Sequence, residues 1–302
     1  MSDTPITGAP TTGTASTGRL GVRKTYKLFI GGAFPRSESG RSYPVRGKGG
    51  DLLAYAAKAS RKDLRDAVKA ARGAFAGWAG ATAYNRGQVL YRVAEMMEGR
   101  AAEFAAEVAN AEGLKPARAD AVVSAAIDRW VWYAGWSDKV AQVAGAANPV
   151  AGPYFNFSVP EPTGVVATLA PPDSSLLGLI SVLAPVIVTG NTAVVIASEQ
   201  RPLPSVVLAE VLATSDVPGG VVNILTGNTA ELAPIAAGHM DVNAIDLTGA
   251  PAADKAALER AAAGNLKRVL AHHDGEQWTE PPTLRRLLAT LEIKTVWHPA
   301  GI

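Results

Sequence analysis

No cysteine occurs among the 302 residues. That absence removes a disulfide framework, a thiolate zinc site and any cysteine nucleophile. Aromatic residues are scarce, at 6%, and no RNP-like or finger-like motif is present. Long runs of like charge are also missing. Basic and acidic residues interleave to a net charge of +2, which argues against nucleic acid as a partner. The longest apolar stretch, Leu176 to Val188, is interrupted by Gly178, Ser181 and Pro185 and is too short to cross a bilayer. The opening MSDTPITGAPTTGTASTG has neither the charged start nor the apolar run of a secretory signal. A soluble, cytoplasmic protein with no membrane contact is expected.

What is present is an ordinary globular composition, 48% apolar, in a chain long enough for about two domains and a sizeable core. Residues 1–24 read as a disordered tail, because nothing there offsets the entropy of ordering. Residues 25–144 open on an alternating strand from Tyr26 to Ile30 with a Gly-Gly turn, then a polar stretch from Arg36 to Asp51 that is loop or a weak second strand. Helices follow. Ser60 with Asp63 resembles a capping box, and Leu64, Ala67, Val68, Ala71 and Phe75 form one apolar stripe. Trp130, Trp132 and Trp136 cluster on a later helix and read as packing. Residues 145–163 are rich in Pro and Gly around a short aromatic strand, a linker or edge strand.

From Gly164 to Ala271 short apolar strands alternate with helices. That pattern predicts an α/β fold, a Rossmann-like doubly wound parallel sheet, with ligands at the carboxyl ends of its strands. Residues 272–302 are a polar loop, one or two helical turns, and an alternating strand, Leu291 to Trp297. With no helix of its own to pack it, this strand is expected to pair on another domain or another subunit.

Several segments in one order carry a family resemblance. KLFIGGAF (27–34), AVKAARGAFAGWAG (67–80), the run from PEPTGVVATLAPPDSS to LAEVL (160–212), VPGGVVNILTG (217–227), AIDLTGA (244–250), NLKRV (265–269) and LEIKTVWHPAG (291–301) resemble the aldehyde dehydrogenase superfamily. The stretch from Trp132 to Phe155 is most similar to the branch called family 16 and related second-copy bacterial proteins. Members have a nicotinamide-binding domain, a catalytic domain and a small β bridging element that pairs subunits. Here NLKRVLAHHDG leads almost directly to the terminal strand, so the resemblance implies a truncated member without the catalytic domain.

The resemblance also implies what the chemistry lacks. The family reaction needs a thiolate nucleophile, hydride transfer to a nicotinamide and a base. No thiolate is available. Where the family places an oxyanion-holding Asn, this chain has Asp173, whose charge opposes a developing oxyanion. The position of the family base is His272. Of the cofactor contacts, Ser198, Glu199, Thr248 and Gly249 remain as vestiges, while Ile196 stands for a Lys, Ala250 for a Ser and Asp254 for a Gly. Cofactor binding is therefore expected to be absent, or weak for NAD(P). His272, His273 and Asp274 are too close in sequence for a metal site, and no metal is expected. Ser174 and Ser175 lack the Gly-x-Ser-x-Gly elbow of a hydrolase.

The expected role is that of a pseudoenzyme, a non-catalytic accessory subunit in a homo- or hetero-oligomer with a full-length aldehyde dehydrogenase. Tyr154, Phe155, Phe157, Glu292, Ile293, Thr295 and Trp297 would form its oligomerisation element. The alternatives are an NAD(P)-dependent aldehyde oxidoreductase whose catalytic domain is supplied in trans, and a dinucleotide-binding module.

Overall fold

A computed structural model describes residues 22–271 and 277–301. The assigned tail lies almost wholly outside them, and so do His272, His273 and Asp274.

A five-stranded parallel sheet forms the centre, in the order β10-β9-β6-β7-β8. Its strands are β6 (Val165–Leu169), β7 (Thr192–Ile196), β8 (Val222–Leu225), β9 (Ala244–Asp246) and β10 (Arg268–Leu270). Every residue of β6 and β7 is buried, as a sheet covered on both faces requires. One face carries α1 (Arg61–Gly80), α8 (Thr229–Gly238) and α9 (Ala252–Ala262). The other carries α2 (Ala83–Glu98), α3 (Ala101–Glu112), α4 (Pro116–Ala134), α6 (Leu177–Val188), α7 (Leu203–Leu212) and α10 (Arg285–Ala289). The fold is thus α/β and Rossmann-like with an amino-terminal helical region, as the βα alternation predicts. Among the described residues no helix is long and apolar enough to cross a membrane.

Local rules account for most of these elements. Ser60 caps α1, accepting from the amides of Lys62 and Asp63, while the Asp63 carboxylate accepts from the Ser60 amide at 2.7 Å. The same carboxylate accepts from the Ser37 hydroxyl and the Glu38 amide, which ties the preceding loop to the helix. Removing the cap oxygen with Ser60→Ala should cost about 1 kcal/mol. An unchanged urea midpoint would show that the bond contributes nothing. Pro116 starts α4, where its missing N–H is harmless. Trp130 is fully buried, and Trp132 stacks edge-on against Tyr133 and tilts toward Trp136, so the tryptophan cluster is packing. α6 is buried on every side because it lies between α4 and the sheet, which is why it shows no amphipathic stripe.

The amino-terminal strand is shorter than its pattern suggests. Only β1 (Thr25–Tyr26) pairs in a sheet, with β3 (Leu52–Ala57), which also takes β2 (Ser42–Arg46). The rest of the run leaves that sheet and laps the edge of β8, with Phe29 and Ile224 exchanging bonds of 2.9 and 2.7 Å. Leu28 and Phe29 point into the two opposite cores, so the alternation reflects two faces of burial rather than a long ladder. Gly31 and Gly32, both at positive φ, make the turn between Ile30 and Ala33.

Residues 145–163 and the terminal strand meet. A short helix α5 (Val140–Ala144) leads into β4 (Ala146–Asn148) and β5 (Tyr154–Pro162), and β11 (Leu291–Pro299) pairs antiparallel with β5 over nine residues. The strand β11 thus finds a partner outside its own segment on one edge. β5 supplies that edge from the same chain, a contact between residues far apart in sequence. Its other edge ends the sheet, whose order is β11-β5-β4.

Candidate functional site

In a doubly wound sheet the ligand crevice lies outside the carboxyl ends of the strands, where the strand order reverses. The chain runs from β6 to β7 to β8 in one direction and then returns to the far side of β6 with β9. The reversal therefore lies between β6 and β9. Four loops converge on this end of the sheet, at 170–176, 197–202, 226–228 and 247–251.

The first loop is tied down by its own side chains. Asp173 is exposed, and its carbonyl accepts from Arg201 Nη1 at 2.7 Å. Ser174 Oγ accepts from the Gly178 amide at 2.9 Å. Ser175 donates through its amide and its hydroxyl to Glu112, at 2.7 and 2.6 Å. Both serines are thus engaged in starting α6, next to the helix amino terminus where a carboxylate such as Glu112 is favoured.

The second and third loops share a carboxylate. Glu199 accepts from Asn228 Nδ2 at 3.0 Å and from the Thr229 amide at 3.3 Å, at the start of α8. Asn228 also caps that helix by accepting from the Glu231 amide. Burial, with the Glu199 charge beside it, pushes the Tyr43 hydroxyl well above the usual phenol range. Ser198 accepts from the Arg201 amide. Ile196, in the place where the resemblance expects a lysine, is buried in the core beneath.

The fourth loop is the most closely bound. Thr248 donates to Asp246 through its hydroxyl, at 2.5 Å, and through its amide, at 2.9 Å. The Gly249 amide donates to the Leu169 carbonyl and the Ala250 amide to that of Leu247. Pro251 has no N–H, and Asp254 lies in the first turn of α9. The donors that a glycine-rich loop would offer a phosphate are spent on the protein itself. A cleft of about 150 Å³ remains between α8 and α9, lined by Ala233, Pro234, Pro251, Asp254 and Leu258 among others.

Two arginines complete this end of the sheet, and sequence reasoning missed both. Arg286 of α10 binds Asp246 Oδ2 at 2.7 Å and Thr248 Oγ1 at 3.1 Å, with the ion pair almost wholly buried. Arg129 of α4 donates to the Ser181 hydroxyl and to the carbonyls of Trp278 and Glu280. The available signal was an Asp inside the apolar strand AIDL, because a buried carboxylate demands a partner.

The three-stranded sheet brings together Tyr154, Phe155, Phe157, Glu292, Ile293, Thr295 and Trp297. Tyr154 meets Trp297 edge-on at 5.8 Å, and Phe155 lies 5.3 Å from Phe157. Ser158 and Thr295 share a hydroxyl bond of 2.8 Å. Arg268 grips Glu292 through two bonds of 2.7 Å, which hold that carboxyl below its usual range. Tyr154, Phe155, Ile293 and Trp297 are each about half exposed or more; Tyr154, Ile293 and Trp297 share one face of the sheet beside an open strand edge, and Phe155 lies on the other. Among the described residues no cluster of His, Cys, Asp or Glu is placed to hold a metal ion.

Comparison with known proteins agrees with this architecture. The profile described as "Aldehyde dehydrogenase family" matches residues 36–278. Retinal dehydrogenase 2 of Homo sapiens is 33% identical over 259 residues, covering 84% of this chain and 49% of its own length. The mitochondrial aldehyde dehydrogenase family 2 member B4 of Arabidopsis thaliana is 34% identical over 257 residues, covering 83% and 47%. The NAD+ complex structure of aldehyde dehydrogenase from Bacillus cereus superposes with a TM-score of 0.78 at 30% identity, over 82% of this chain and 50% of that one. The chain spans about half the length of the curated relatives it matches.

Proposed function

Because the chain belongs to the aldehyde dehydrogenase family, we propose that it is a non-catalytic member, a pseudoenzyme that serves as an accessory subunit of a cytoplasmic oligomer with a full-length relative. The observation that carries this reading is the sheet β11-β5-β4, with its open outer edge and exposed Tyr154, Phe155, Ile293 and Trp297. Strand edges pair with other strands, and half-exposed aromatic residues beside such an edge supply the apolar area that stabilises the pairing.

The chemistry supports the non-catalytic half of the reading. None of the 302 residues is cysteine, so the acyl-transfer step has no thiolate. Asp173, which the resemblance sets in the place of the oxyanion-holding Asn, is exposed, and its charge would oppose a developing oxyanion. Only residues 271–290 separate β10 from β11, too few for a catalytic domain between them.

Co-expression with a full-length family member should give a stable complex by size-exclusion chromatography with light scattering. Ile293→Lys with Trp297→Glu should abolish it while the circular dichroism spectrum stays unchanged. A chain that remains monomeric beside every such partner would sink the proposal. The same samples decide the second reading, an oxidoreductase completed in trans, which the match to an NAD+-bound relative favours. Short and aromatic aldehydes with NAD+ should give no NADH from the chain alone and no increase over the partner's own rate in the complex.

A further inference from the structure

We propose that the strand-end crevice is closed from within, with the segment 277–290 standing where a doubly wound sheet receives a dinucleotide. The inference builds on the non-catalytic reading and extends it to the cofactor.

Arg286 sends its guanidinium to the end of β9, onto Asp246 and Thr248, beside the point where the strand order reverses. The same guanidinium lies 5.4 Å from the centre of the Trp278 ring. Leu287 and Leu291 are buried in the core that includes Val166 and Ala244, so α10 covers the sheet face beside α6. The segment is held at both ends. At one end Arg129, itself buried, donates to the carbonyls of Trp278 and Glu280. At the other end the Thr290 carbonyl receives Asn191 Nδ2 at 2.9 Å and the Thr163 amide at 3.2 Å.

A dinucleotide meets three obstacles here. The amides of Thr248, Gly249 and Ala250 are already bonded within the protein. Asp254 adds negative charge at the start of α9, where a pyrophosphate would approach. A phosphate that took Arg286 for itself would leave Asp246 buried and unpaired, which is the costly state of such a pair. The residues present therefore do not fit the dinucleotide that the fold accommodates elsewhere.

The test combines calorimetry and hydrogen exchange on the full chain. NAD+ and NADP+ at millimolar concentration should give no saturable heat and no added protection at residues 247–251. Arg286→Ala should then raise amide exchange across 247–251 by about tenfold or more beyond the rise across β2 and β3. If that variant does not fold, Trp278→Ala should produce the same localised rise. Saturable binding of NAD+ to the unaltered chain, or no rise at 247–251 beyond that across β2 and β3 in a folded variant, would overturn the inference. Failure to assemble with a family member would remove the accessory reading and leave this one intact, so the two are separable.

Discussion

Arg286→Ala should cost the fold roughly 3–5 kcal/mol, because it leaves Asp246 as an uncompensated buried charge. Both partners are almost inaccessible to water, at 5% and 2% side-chain exposure. Asp246 keeps its two bonds from Thr248, while the ion pair, the Arg286 bond to Thr248 Oγ1 and the contact with the Trp278 ring are among the interactions lost. Two companions separate charge from shape. Arg286→Lys keeps the charge and gives up the forked geometry, and should lie between wild type and Ala. Arg286→Met with Asp246→Asn removes both charges yet keeps an acceptor for the two Thr248 donors, and should cost less than Arg286→Ala alone. Urea midpoints at unchanged m value report each cost. A loss under about 1 kcal/mol for Arg286→Ala would mean that the pair is solvated rather than buried.

Gly249→Ala should be comparably damaging, at about 3 kcal/mol or more, the upper range for overpacking. A methyl group at this position would sit 2.1 Å from the Ala170 carbonyl oxygen and 2.8 Å from that of Leu169. Both are backbone atoms at the end of β6, so no rotamer change can make room. The loop would have to withdraw, breaking the bond from the Gly249 amide to Leu169. Gly264, with open space around the same methyl, is the control and should tolerate alanine. Thermal midpoints of the two variants give the comparison, and equal midpoints would contradict the close approach. The result matters for function, because Gly249 is then a packing residue whatever the crevice binds.

The periodic elements were legible in the sequence for physical reasons. Strands buried on both faces, such as β6 and β7, need continuous apolar runs. Ser60, Asp63 and Pro116 mark helix starts by their hydrogen-bonding chemistry alone. β3 was not legible, because Leu52–Ala57 is alanine-rich and owes its strand conformation to β1 and β2 on its two sides. Of the candidate site residues, Glu199, Thr248 and Gly249 do converge on the carboxyl end of the sheet. Their bonding partners, Asn228, Asp246 and Arg286, were invisible as a set, since 40 residues separate Asp246 from Arg286.

The absence of cysteine, the βα alternation and the family membership belong to the sequence by itself, because composition and local periodicity do not depend on how distant segments meet. Two matters were decided only by tertiary structure. One is that β11 takes β5 as its partner and leaves a single edge open. The other is that Arg286 and Arg129 draw the segment 277–290 across the sheet to the end of β9. Both rest on bonds between residues far apart along the chain, whose pairing no local pattern specifies and only the packed fold selects.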